Sequence, residues 1–331
     1  MIRVAVVGAG YWGPNLIRNF YNLGYLKMVC DKNENRLKKI KENYPNVNTT
    51  CNFDEVLTSA DAVIVATEDS SHYNLSKVAL LHSKDVFVEK PLALSAKEAE
   101  ELVEIARENS RILMVGHLLL YHPAIRKLKE YVKEDTLGEI NYVYSQRVNL
   151  GQVRRDTNAL WSLGPHDISS VLYLVDKVPN KVVATGESYL QKDIYDVVFV
   201  TLHFPGKLLV HIHLSWLDPH KIRKLTVVGS KKMAVFDDME SNEKIRLYDK
   251  GVYKPSFESY ADALTLRIGD ILIPKIDAKE PLRIECEHFI ACVKSRNKPI
   301  SNGENGLQVV KVLEAAQKSL DNGGIPIKIE G

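Results

Sequence analysis

The opening segment IRVAVVGAGYWGPNLIRNF, residues 2–20, is the feature that most restricts how this chain can fold. A run of β-branched residues leads into three glycines with G-x-G-x-x-G spacing, at Gly8, Gly10 and Gly13. Pro14 follows at a position that suits the first turn of a helix. In such a segment the glycines allow a tight turn, a close approach of the backbone to a ligand, and close packing of helix on strand. The segment therefore predicts the first strand and helix of a doubly wound parallel sheet.

Strand-like and helix-like segments alternate through the first third of the chain. The strand-like runs include LKMVCD, DAVIVAT, DVFVEKP and RILMVGH, and the patterns ENRLKKIKENYP and SAKEAEELVEIARENS between them are helical. DAVIVAT is apolar throughout, as expected for a strand that is covered on both faces. Ser95 is placed to cap its helix, with Glu98 three residues later. This alternation predicts a Rossmann-type α/β domain with right-handed crossovers.

The pattern changes near residue 118. Long strand-like runs follow, among them YDVVFVTLHF, KLLVHIHLSWL and RKLTVVGS, and turn residues separate them. We expect these runs to be successive antiparallel neighbours in one large open sheet. The apolar spacing in PHDISSVLYLVD predicts a helix that begins at Pro165–His166. The sequence thus divides into a Rossmann domain, residues 1–118, and an α+β domain with a mostly antiparallel sheet, residues 119–331.

Composition excludes several classes of protein. The 331 residues include 44 Lys plus Arg and 42 Asp plus Glu, so the net charge of +2 does not suggest a protein that binds nucleic acid or a membrane surface. No apolar run approaches the length that spans a bilayer. The four cysteines form no C-x-x-C pair, and CEHFIAC lies in a helical pattern, so we expect thiols and no metal site. No signal peptide precedes the first strand, which favours a reduced, cytoplasmic setting.

Asp31 gives the glycine loop a second dinucleotide-binding feature. It closes the predicted second strand 18 residues after Gly13, where a carboxylate accepts hydrogen bonds from the adenosine ribose hydroxyls. Its negative charge repels a 2′-phosphate, so NAD is favoured over NADP, although Lys32 next to it weakens the preference. The alternative is a glycine turn that holds no ligand.

The segment VFVEKPLA places Glu89, Lys90 and Pro91 at the carboxyl end of a buried strand. Ligands of doubly wound sheets lie just outside these strand ends. A lysine there can face the nicotinamide and a bound hydroxyl, and Pro91 keeps Lys90 out of helical geometry. The alternative is a lysine that extends its amine to solvent at a strand end.

These motifs together resemble the Gfo/Idh/MocA oxidoreductases. The resemblance rests on the glycine loop, Asp31, AT followed by His72, EKPLA and the downstream GPHD, and it runs over most of the chain. The stretches VGHLLLYHPAIRKLKE, RVNLG, ALWSLGPHDIS and SWLDP resemble the branch associated with sugar and nucleotide-sugar dehydrogenation. The resemblance implies that Lys90 lies at the reacting centre, that the second domain supplies His166, and that its large sheet makes contacts in a homo-oligomer, a dimer or a tetramer.

The same resemblance and the spacing of the motifs give a set of candidate site residues. For the cofactor they are Gly8, Gly10, Tyr11, Trp12, Gly13, Asp31, Thr67, His72, Glu89 and Lys90. For the substrate they are Tyr121, Asn149, Arg154, Arg155, Asn158 and Ser162. Arg147, Arg154 and Arg155 precede TNALW, where arginines suit an anionic substrate, although solvated arginines in a loop are the alternative.

Ser162 departs from the family pattern. The family commonly carries an aspartate four residues before the histidine, and serine can donate a hydrogen bond but supplies no charge. Oxidation of a carbinol sends hydride to the nicotinamide and a proton to a base. Histidine titrates near neutrality, so His166 can take that proton while the Lys90 ammonium stabilises an alkoxide. Lys90 deprotonated by burial, with His166 as the orienting group, is the other assignment.

We expect an NAD-dependent oxidoreductase that acts on a CH–OH group of a sugar or nucleotide sugar. A lyase or hydrolase that keeps NAD as a resident redox group, and a dinucleotide-binding regulator without chemistry, are the alternatives. Measuring net NADH formation with a panel of sugars distinguishes these three classes of protein.

Overall fold

The structure is a computed structural model that describes residues 2–151, 153–155, 157–253 and 265–329. The strands are β1 (Val4–Val7), β2 (Leu26–Cys30), β3 (Asn48–Thr50), β4 (Ala62–Val65), β5 (Asp85–Glu89), β6 (Leu113–Gly116), β7 (Ile140–Val148), β8 (Lys181–Glu187), β9 (Val197–His203), β10 (Leu209–Ser215), β11 (Ile222–Gly229), β12 (Met233–Asp237), β13 (Ile245–Tyr253), β14 (Thr265–Leu272) and β15 (Ile327–Lys328). The helices are α1 (Gly13–Asn22), α2 (Glu34–Asn43), α3 (Phe53–Ser59), α4 (His72–Leu81), α5 (Ala96–Glu108), α6 (Pro123–Lys133), α7 (Ala159–Val175), α8 (Pro281–Ser295) and α9 (Gly303–Asp321). In the part of the chain that the structure describes, no helix combines the length and the apolar character needed to cross a lipid bilayer.

The chain divides into two compact units. The first consists of Met1–Tyr121 and Lys279–Glu314, and the second of His122–Ala278 and Ala315–Gly331. The stretch Lys279–Glu314 therefore belongs with the first unit although it comes late in the chain. The domain boundary at residue 118 that the sequence predicts refers to the functional domains, and it stays a prediction.

The first unit contains a six-stranded parallel sheet in the order β3-β2-β1-β4-β5-β6. Strands β1, β4 and β5 are buried along their whole length, because helices cover both faces of such a sheet. The capping prediction is also confirmed: the Ser95 hydroxyl accepts a hydrogen bond from the Glu98 amide at 3.3 Å. The doubly wound fold class is confirmed, and strand order reverses between β1 and β4.

The carboxyl ends of the parallel strands meet along one edge of this sheet. Gly8 follows β1, Ala66 and Thr67 follow β4, Lys90 follows β5, and His117 follows β6. Ligands of doubly wound sheets bind at this edge, beside the point where strand order reverses. The topology therefore brings the glycine loop and the lysine segment to the same edge.

Helix α8 completes the core of the first unit. Phe289 from α8 packs against Phe20 from α1 and Phe87 from β5, with ring centroids 6.3 and 5.7 Å away. The guanidinium of Arg296, at the end of α8, donates hydrogen bonds to both carboxylate oxygens of Asp85 at the start of β5. These contacts tie a late helix to strands formed by the first third of the chain.

The second unit is built on a nine-stranded sheet in the order β14-β13-β12-β11-β7-β10-β9-β8-β15. The mostly antiparallel character that the sequence predicts is confirmed. The expectation that the strand-like runs are successive antiparallel neighbours is wrong at one place, because β7 lies between β10 and β11, parallel to β10 and antiparallel to β11. Helix α7 carries the chain away from β7, and the meander β8-β9-β10 then returns to it, so that a parallel neighbour becomes available.

Helix α7 begins earlier than the sequence predicts. Its first residue is Ala159, and Asn158 caps it by accepting a hydrogen bond from the Trp161 amide at 3.1 Å. Pro165 lies inside the helix, where its missing N–H removes one intrahelical hydrogen bond. The prediction that this helix starts at Pro165–His166 is therefore wrong. It relied on the general preference for proline in the first turn, and it places the start six residues too late. His166 stands within the helix.

Candidate functional site

The glycine loop is held in a shape that other residues cannot adopt. Gly8 has φ +100°, and a Cβ there would lie 2.4 Å from the Ala66 carbonyl oxygen. A Cβ on Gly13 would lie 2.0 Å from the carbonyl oxygen of Gly8, so this glycine lets α1 pack directly on the loop. At Gly10 the nearest atom to an added Cβ is a guanidinium nitrogen of Arg36, at 3.6 Å, so the backbone there is open to a ligand.

Asp31 lies at the end of β2 and faces the glycine loop. Its carboxylate accepts hydrogen bonds from the backbone amides of Ala9, at 2.6 Å, and Asn33, at 2.8 Å. The Arg36 guanidinium approaches it at 3.5 Å. The side chain is buried, so its position is fixed by these contacts. A carboxylate held in this way marks the place where the ribose hydroxyls of a dinucleotide bind in this fold.

Trp12 joins the glycine loop to the lysine segment. Its indole Nε1 donates a hydrogen bond to Glu89 Oε1 at 2.8 Å, and the Lys90 amide donates to Glu89 Oε2 at 3.3 Å. A Cβ on Gly116 would lie 2.9 Å from Glu89 Oε2, so the glycine at the end of β6 makes room for this carboxyl group. Lys90 is half-buried beside it, whereas Tyr11 is 92% exposed.

Two buried carboxyl groups, Glu89 and Glu285, influence each other's charge, and the sequence pointed to only the first of them. Burial raises the pKa of Glu89 to about 7, although the Lys90 charge and the Trp12 hydrogen bond act in the opposite direction. Glu285, on α8, is completely buried, and burial together with the Glu89 charge raises its pKa well above the ordinary range. Both causes favour the protonated form of Glu285. Only its place on the buried face of an amphipathic helix could have drawn attention to it.

His72 links the end of β4 to the lysine segment. Its ring is fully buried, with Nδ1 2.8 Å from the Pro91 carbonyl oxygen and Nε2 3.3 Å from the Thr67 carbonyl oxygen. Burial lowers the pKa of His72, so the ring is neutral, and its single N–H donates to one of these two carbonyl oxygens. The Thr67 hydroxyl accepts a hydrogen bond from Ser71. Both candidates thus lie at the ligand edge of the sheet, where His72 supports the lysine segment.

Tyr121 is enclosed in the core of the first unit. Its hydroxyl lies 2.8 Å from Ser301 Oγ, and burial raises its pKa. These contacts satisfy the buried Tyr121 hydroxyl without a ligand. A substrate contact at Tyr121 stays a prediction.

In the second unit, Ser162 and His166 stand one turn apart on α7. Because the helix includes both residues, the i, i+4 spacing places them on the same face. Both are half-buried. The His166 carbonyl oxygen accepts hydrogen bonds from the hydroxyls of Ser170, at 2.7 Å, and Ser169, at 3.1 Å, which fixes the backbone at this position.

The residue after His166 anchors the helix to the sheet. Asp167 is buried and accepts hydrogen bonds from Arg147 Nε and Ser145 Oγ, both at 2.5 Å. Both partners lie on β7, the central strand of the large sheet. Arg147 is thus part of an internal ion pair, whereas the sequence grouped it with the loop arginines that suit an anionic substrate.

The remaining substrate candidates lie in the segment between β7 and α7. The Asn149 amide donates to the Ser215 carbonyl oxygen at 3.1 Å, and the Arg154 carbonyl oxygen accepts from Gln191 Nε2 at 2.8 Å. Arg155 is exposed. The Asn158 side chain caps α7 and also donates to Gln317 at 2.8 Å. Their roles toward a substrate stay predictions.

The first unit fits a dinucleotide. The N-terminus of α1 carries no side-chain cap, so backbone N–H groups at this helix end are available to an anion. The cradle at Gly10 is one that a Cβ would narrow, and Asp31 is fixed beside it. No group of three or more His, Cys, Asp or Glu residues that could hold a metal ion occurs among the residues described.

A parallel sheet with this loop and a lysine at its carboxyl edge, together with a second unit on a large sheet, defines a dinucleotide-binding oxidoreductase. The chain belongs to the Gfo/Idh/MocA family: residues 2–117 match the oxidoreductase family domain with the NAD-binding Rossmann fold, and residues 125–235 match the GFO/IDH/MocA C-terminal domain. It is a dehydrogenase or reductase of the kind that acts on CH–OH groups.

Several known proteins are similar to the chain. A UDP-N-acetylglucosamine 3-dehydrogenase from Acidithiobacillus ferrooxidans is 23% identical over 93% of this chain and 94% of that protein. Its solved structure superposes with a TM-score of 0.83, at 21% identity, over 97% of this chain and 98% of that one, which shows the shared fold. A 2,7-anhydro-N-acetylneuraminate hydratase from Escherichia coli is 26% identical over 75% of this chain and 70% of that protein. The match to an uncharacterized oxidoreductase of Streptococcus pneumoniae, 26% identical, covers 62% of this chain and 60% of that protein.

Proposed function

We propose that this protein is an NAD-dependent oxidoreductase that transfers hydride between the nicotinamide and a carbinol or ketone of a sugar, most readily a nucleotide-linked sugar. The observation that carries the proposal is the common edge of the parallel sheet, where the open glycine loop and Lys90 are joined through the Trp12–Glu89 hydrogen bond. The similarity to a UDP-N-acetylglucosamine 3-dehydrogenase supports the substrate class.

Each residue has a defined task in this reaction. The glycine loop and the N-terminus of α1 bind the pyrophosphate, and Asp31 binds the adenosine ribose hydroxyls. When bound, the nicotinamide supplies the hydride acceptor. Lys90 stabilises the developing alkoxide by its charge, and His166 takes the proton, or the two exchange these roles. Ser162, one helical turn from His166, orients it by hydrogen bonding without adding charge.

Lys90→Ala tests the assignment. Turnover is expected to fall by about two to four orders of magnitude because the charge that stabilises the alkoxide is lost. NAD affinity, measured by calorimetry, is expected to stay nearly unchanged. Lys84→Ala, at a lysine that lies in the same unit and donates to the Ala60 carbonyl oxygen, is the matched control. Equal losses of turnover and NAD affinity in Lys90→Ala would remove Lys90 from the chemistry.

The preference for NAD over NADP rests on Asp31. Replacing it with serine removes the charge that repels a 2′-phosphate while leaving a hydroxyl for the ribose. The variant is expected to gain affinity for NADP relative to NAD, and the Arg36 guanidinium at 3.5 Å from Asp31 is then available to the phosphate. An unchanged ratio of the two affinities argues against this role.

A second function is favoured by one specific observation, the similarity to a 2,7-anhydro-N-acetylneuraminate hydratase. In such an enzyme NAD acts as a resident redox group, and the net reaction is an elimination or a hydration of a sugar. NAD would then remain with the protein through purification, and substrate would be consumed without net NADH. Following NADH absorbance and substrate loss together, with nucleotide sugars and free sugars, decides between the two.

We also propose a homo-oligomer, a dimer or a tetramer, that forms through the large sheet. Tyr142, Tyr144 and Phe199 are each about two-fifths exposed on its strands. Exposed aromatic side chains on one sheet are typical of association surfaces. Light scattering with size-exclusion chromatography tests the proposal, and a monomer at micromolar concentration would refute it.

A further inference from the structure

Three loops of the second unit meet at one end of the large sheet, beside the start of α7. Strand β7 is parallel to β10, and β9 is antiparallel to both β8 and β10, so the segments that follow β7, β8 and β10 leave the sheet at the same end. The Ala159 amide, at the start of α7, donates to the Tyr195 carbonyl oxygen at 2.9 Å. We name these segments, the described parts of 149–158 together with 188–196 and 216–221, the loop cluster.

Asp196 holds the loop cluster together. Its side chain is completely buried, and its Oδ2 accepts hydrogen bonds from the consecutive amides of Tyr189 and Leu190, both at 2.7 Å. Its carbonyl oxygen accepts a hydrogen bond from the Trp216 amide, in the loop after β10, at 3.0 Å. The backbone that carries Tyr189 is therefore fixed to a buried carboxylate.

Tyr189 exposes its side chain although its backbone is fixed. It is 67% exposed, whereas Tyr195 in the same loop is half-buried. Leu150 is 74% exposed, and Leu190 and Leu217 are exposed as well, so each of the three loops contributes an apolar side chain to the surface. An aromatic side chain that an ordered backbone keeps in water forgoes the free energy of burial, and a group of exposed apolar side chains of this kind marks a binding surface.

Positive charge lies next to the exposed tyrosine. Gln191 Nε2 donates to the Arg154 carbonyl oxygen at 2.8 Å, which ties the tyrosine loop to the segment that contains Arg154 and Arg155. Arg155 is exposed, and so is Lys192 at the tip of the tyrosine loop, where Asp193 offsets its charge. The loop cluster thus combines a flat aromatic ring, aliphatic side chains and guanidinium groups.

The chemistry of a nucleoside diphosphate matches this combination. A base stacks on an aromatic side chain whatever its identity, because every base has a π face. A guanidinium group binds phosphate oxygens through paired N–H donors. Ser162 and His166 lie in the first turns of α7, which begins at the loop cluster, so a sugar attached to the diphosphate has the reacting residues of this unit within the same end of the sheet. A free monosaccharide offers neither a flat ring nor an anion.

We propose that the loop cluster is the nucleotide subsite of the substrate site, where the base of a nucleoside diphosphate stacks on Tyr189 and the diphosphate binds Arg155. This inference rests on the proposed function and deepens it, because it assigns the part of a nucleotide-linked sugar that does not react. Contacts with that part are the same before and during hydride transfer, so their loss raises KM and leaves kcat nearly unchanged.

Calorimetry with UDP tests the subsite on the full-length protein saturated with NAD, which keeps UDP out of the dinucleotide site. Tyr189→Ala is expected to weaken UDP binding by about tenfold or more, because one stacking contact is lost. Tyr189→Phe keeps the flat ring and is expected to keep the native affinity, whereas Tyr189→Leu keeps only apolar bulk and is expected to match Tyr189→Ala. Arg155→Gln is expected to weaken binding by about tenfold and to reduce its dependence on salt, which Tyr189→Ala leaves unchanged.

The controls separate the subsite from other roles of the loop. Tyr248→Ala, at a half-buried tyrosine on β13 near the other end of the sheet order, is expected to leave UDP affinity unchanged. The proposal is overturned if the native protein does not bind UDP at millimolar concentration, or if Tyr189→Ala binds UDP as the native protein does. A smaller oligomer of Tyr189→Ala in light scattering, with unchanged UDP affinity, also overturns it and makes the loop an interface between copies of the chain.

Failure of the subsite and failure of the proposed function give different results. If UDP binding depends on Tyr189 but no sugar or nucleotide sugar yields NADH, the nucleotide subsite is supported and only the proposed function fails. If a nucleotide sugar yields NADH with the same KM in Tyr189→Ala as in the native protein, the proposed function is supported and the subsite is overturned.

Discussion

Glu89→Gln should flatten the dependence of stability on pH in a way that can be worked out from the site. The pKa of Glu89 is raised from 4.5 to about 7, chiefly by burial. For a group whose folded-state pKa is raised, the stabilisation is fully present below the unfolded pKa and is lost as pH rises through the folded pKa. The window of loss therefore runs from about pH 4.5 to about pH 7.

The magnitude follows from 1.36 kcal/mol for each unit of pKa difference. Between about pH 5 and about pH 8, the ionisation of Glu89 removes about 2–3 kcal/mol from the free energy of unfolding of the native sequence. Glutamine keeps an oxygen for the Trp12 indole and does not ionise, so this loss is absent in the variant. Burial, the larger cause of the raised pKa of Glu285, is common to both proteins, so the larger part of its contribution cancels in the comparison.

Urea unfolding followed by circular dichroism at about pH 5 and about pH 8 measures the effect. The difference in unfolding free energy between variant and native protein is expected to change by about 2–3 kcal/mol in favour of the variant at the higher pH. Glu287→Gln, on α8 at an exposed position paired with Arg283, is the matched control and should give a constant difference. Parallel pH profiles for Glu89→Gln and the native protein would refute the reasoning.

Three further changes test the local structure by urea unfolding. Gly8→Ala is expected to lower the unfolding free energy by at least about 2 kcal/mol and to abolish NAD binding. Gly24→Ala is the control: Gly24 has φ +76° and nothing within 4 Å of an added Cβ, so the variant incurs only the backbone strain of about 1 kcal/mol. Equal effects of the two substitutions would contradict the clash with Ala66. Asp167→Asn leaves the Arg147 charge buried and unpaired, and the unfolding free energy is expected to fall by about 3–5 kcal/mol. Asp61→Asn, in the exposed pair with Arg3, is expected to lower it by no more than about 1 kcal/mol. Ser95→Ala removes the α5 cap, with an expected loss of about 1 kcal/mol, and an unchanged stability would mean that the 3.3 Å contact contributes nothing.

The features that the sequence predicted are those encoded by neighbouring residues. The spacing of Gly8, Gly10 and Gly13, the apolar run before Thr67 and the Ser95 cap each depend on a short stretch of chain, so propensity and spacing suffice. The start of α7 was misplaced because the local preference for proline in a first turn was overridden by the tertiary packing of a longer helix.

The features that could not be predicted depend on residues far apart in sequence. Glu285 reaches the neighbourhood of Glu89 only because α8 returns to the first unit. Arg147 pairs with Asp167 only because α7 packs on β7. The parallel pairing of β7 with β10 likewise depends on the path of the intervening chain. The periodicity of a single segment contains no information about these long-range contacts.

The late return of α8 has a consequence for synthesis on the ribosome. The nucleotide-binding strands leave the exit tunnel long before Phe289 and Arg296 are made. Until then the Phe20 and Phe87 rings lack their contact with Phe289, and the Asp85 carboxylate lacks its hydrogen bonds from Arg296. A nascent chain that stops after Tyr121 would expose an aromatic surface in water. The first unit thus depends on Lys279–Glu314 for its completion, and chaperone binding to nascent chains should persist until α8 emerges.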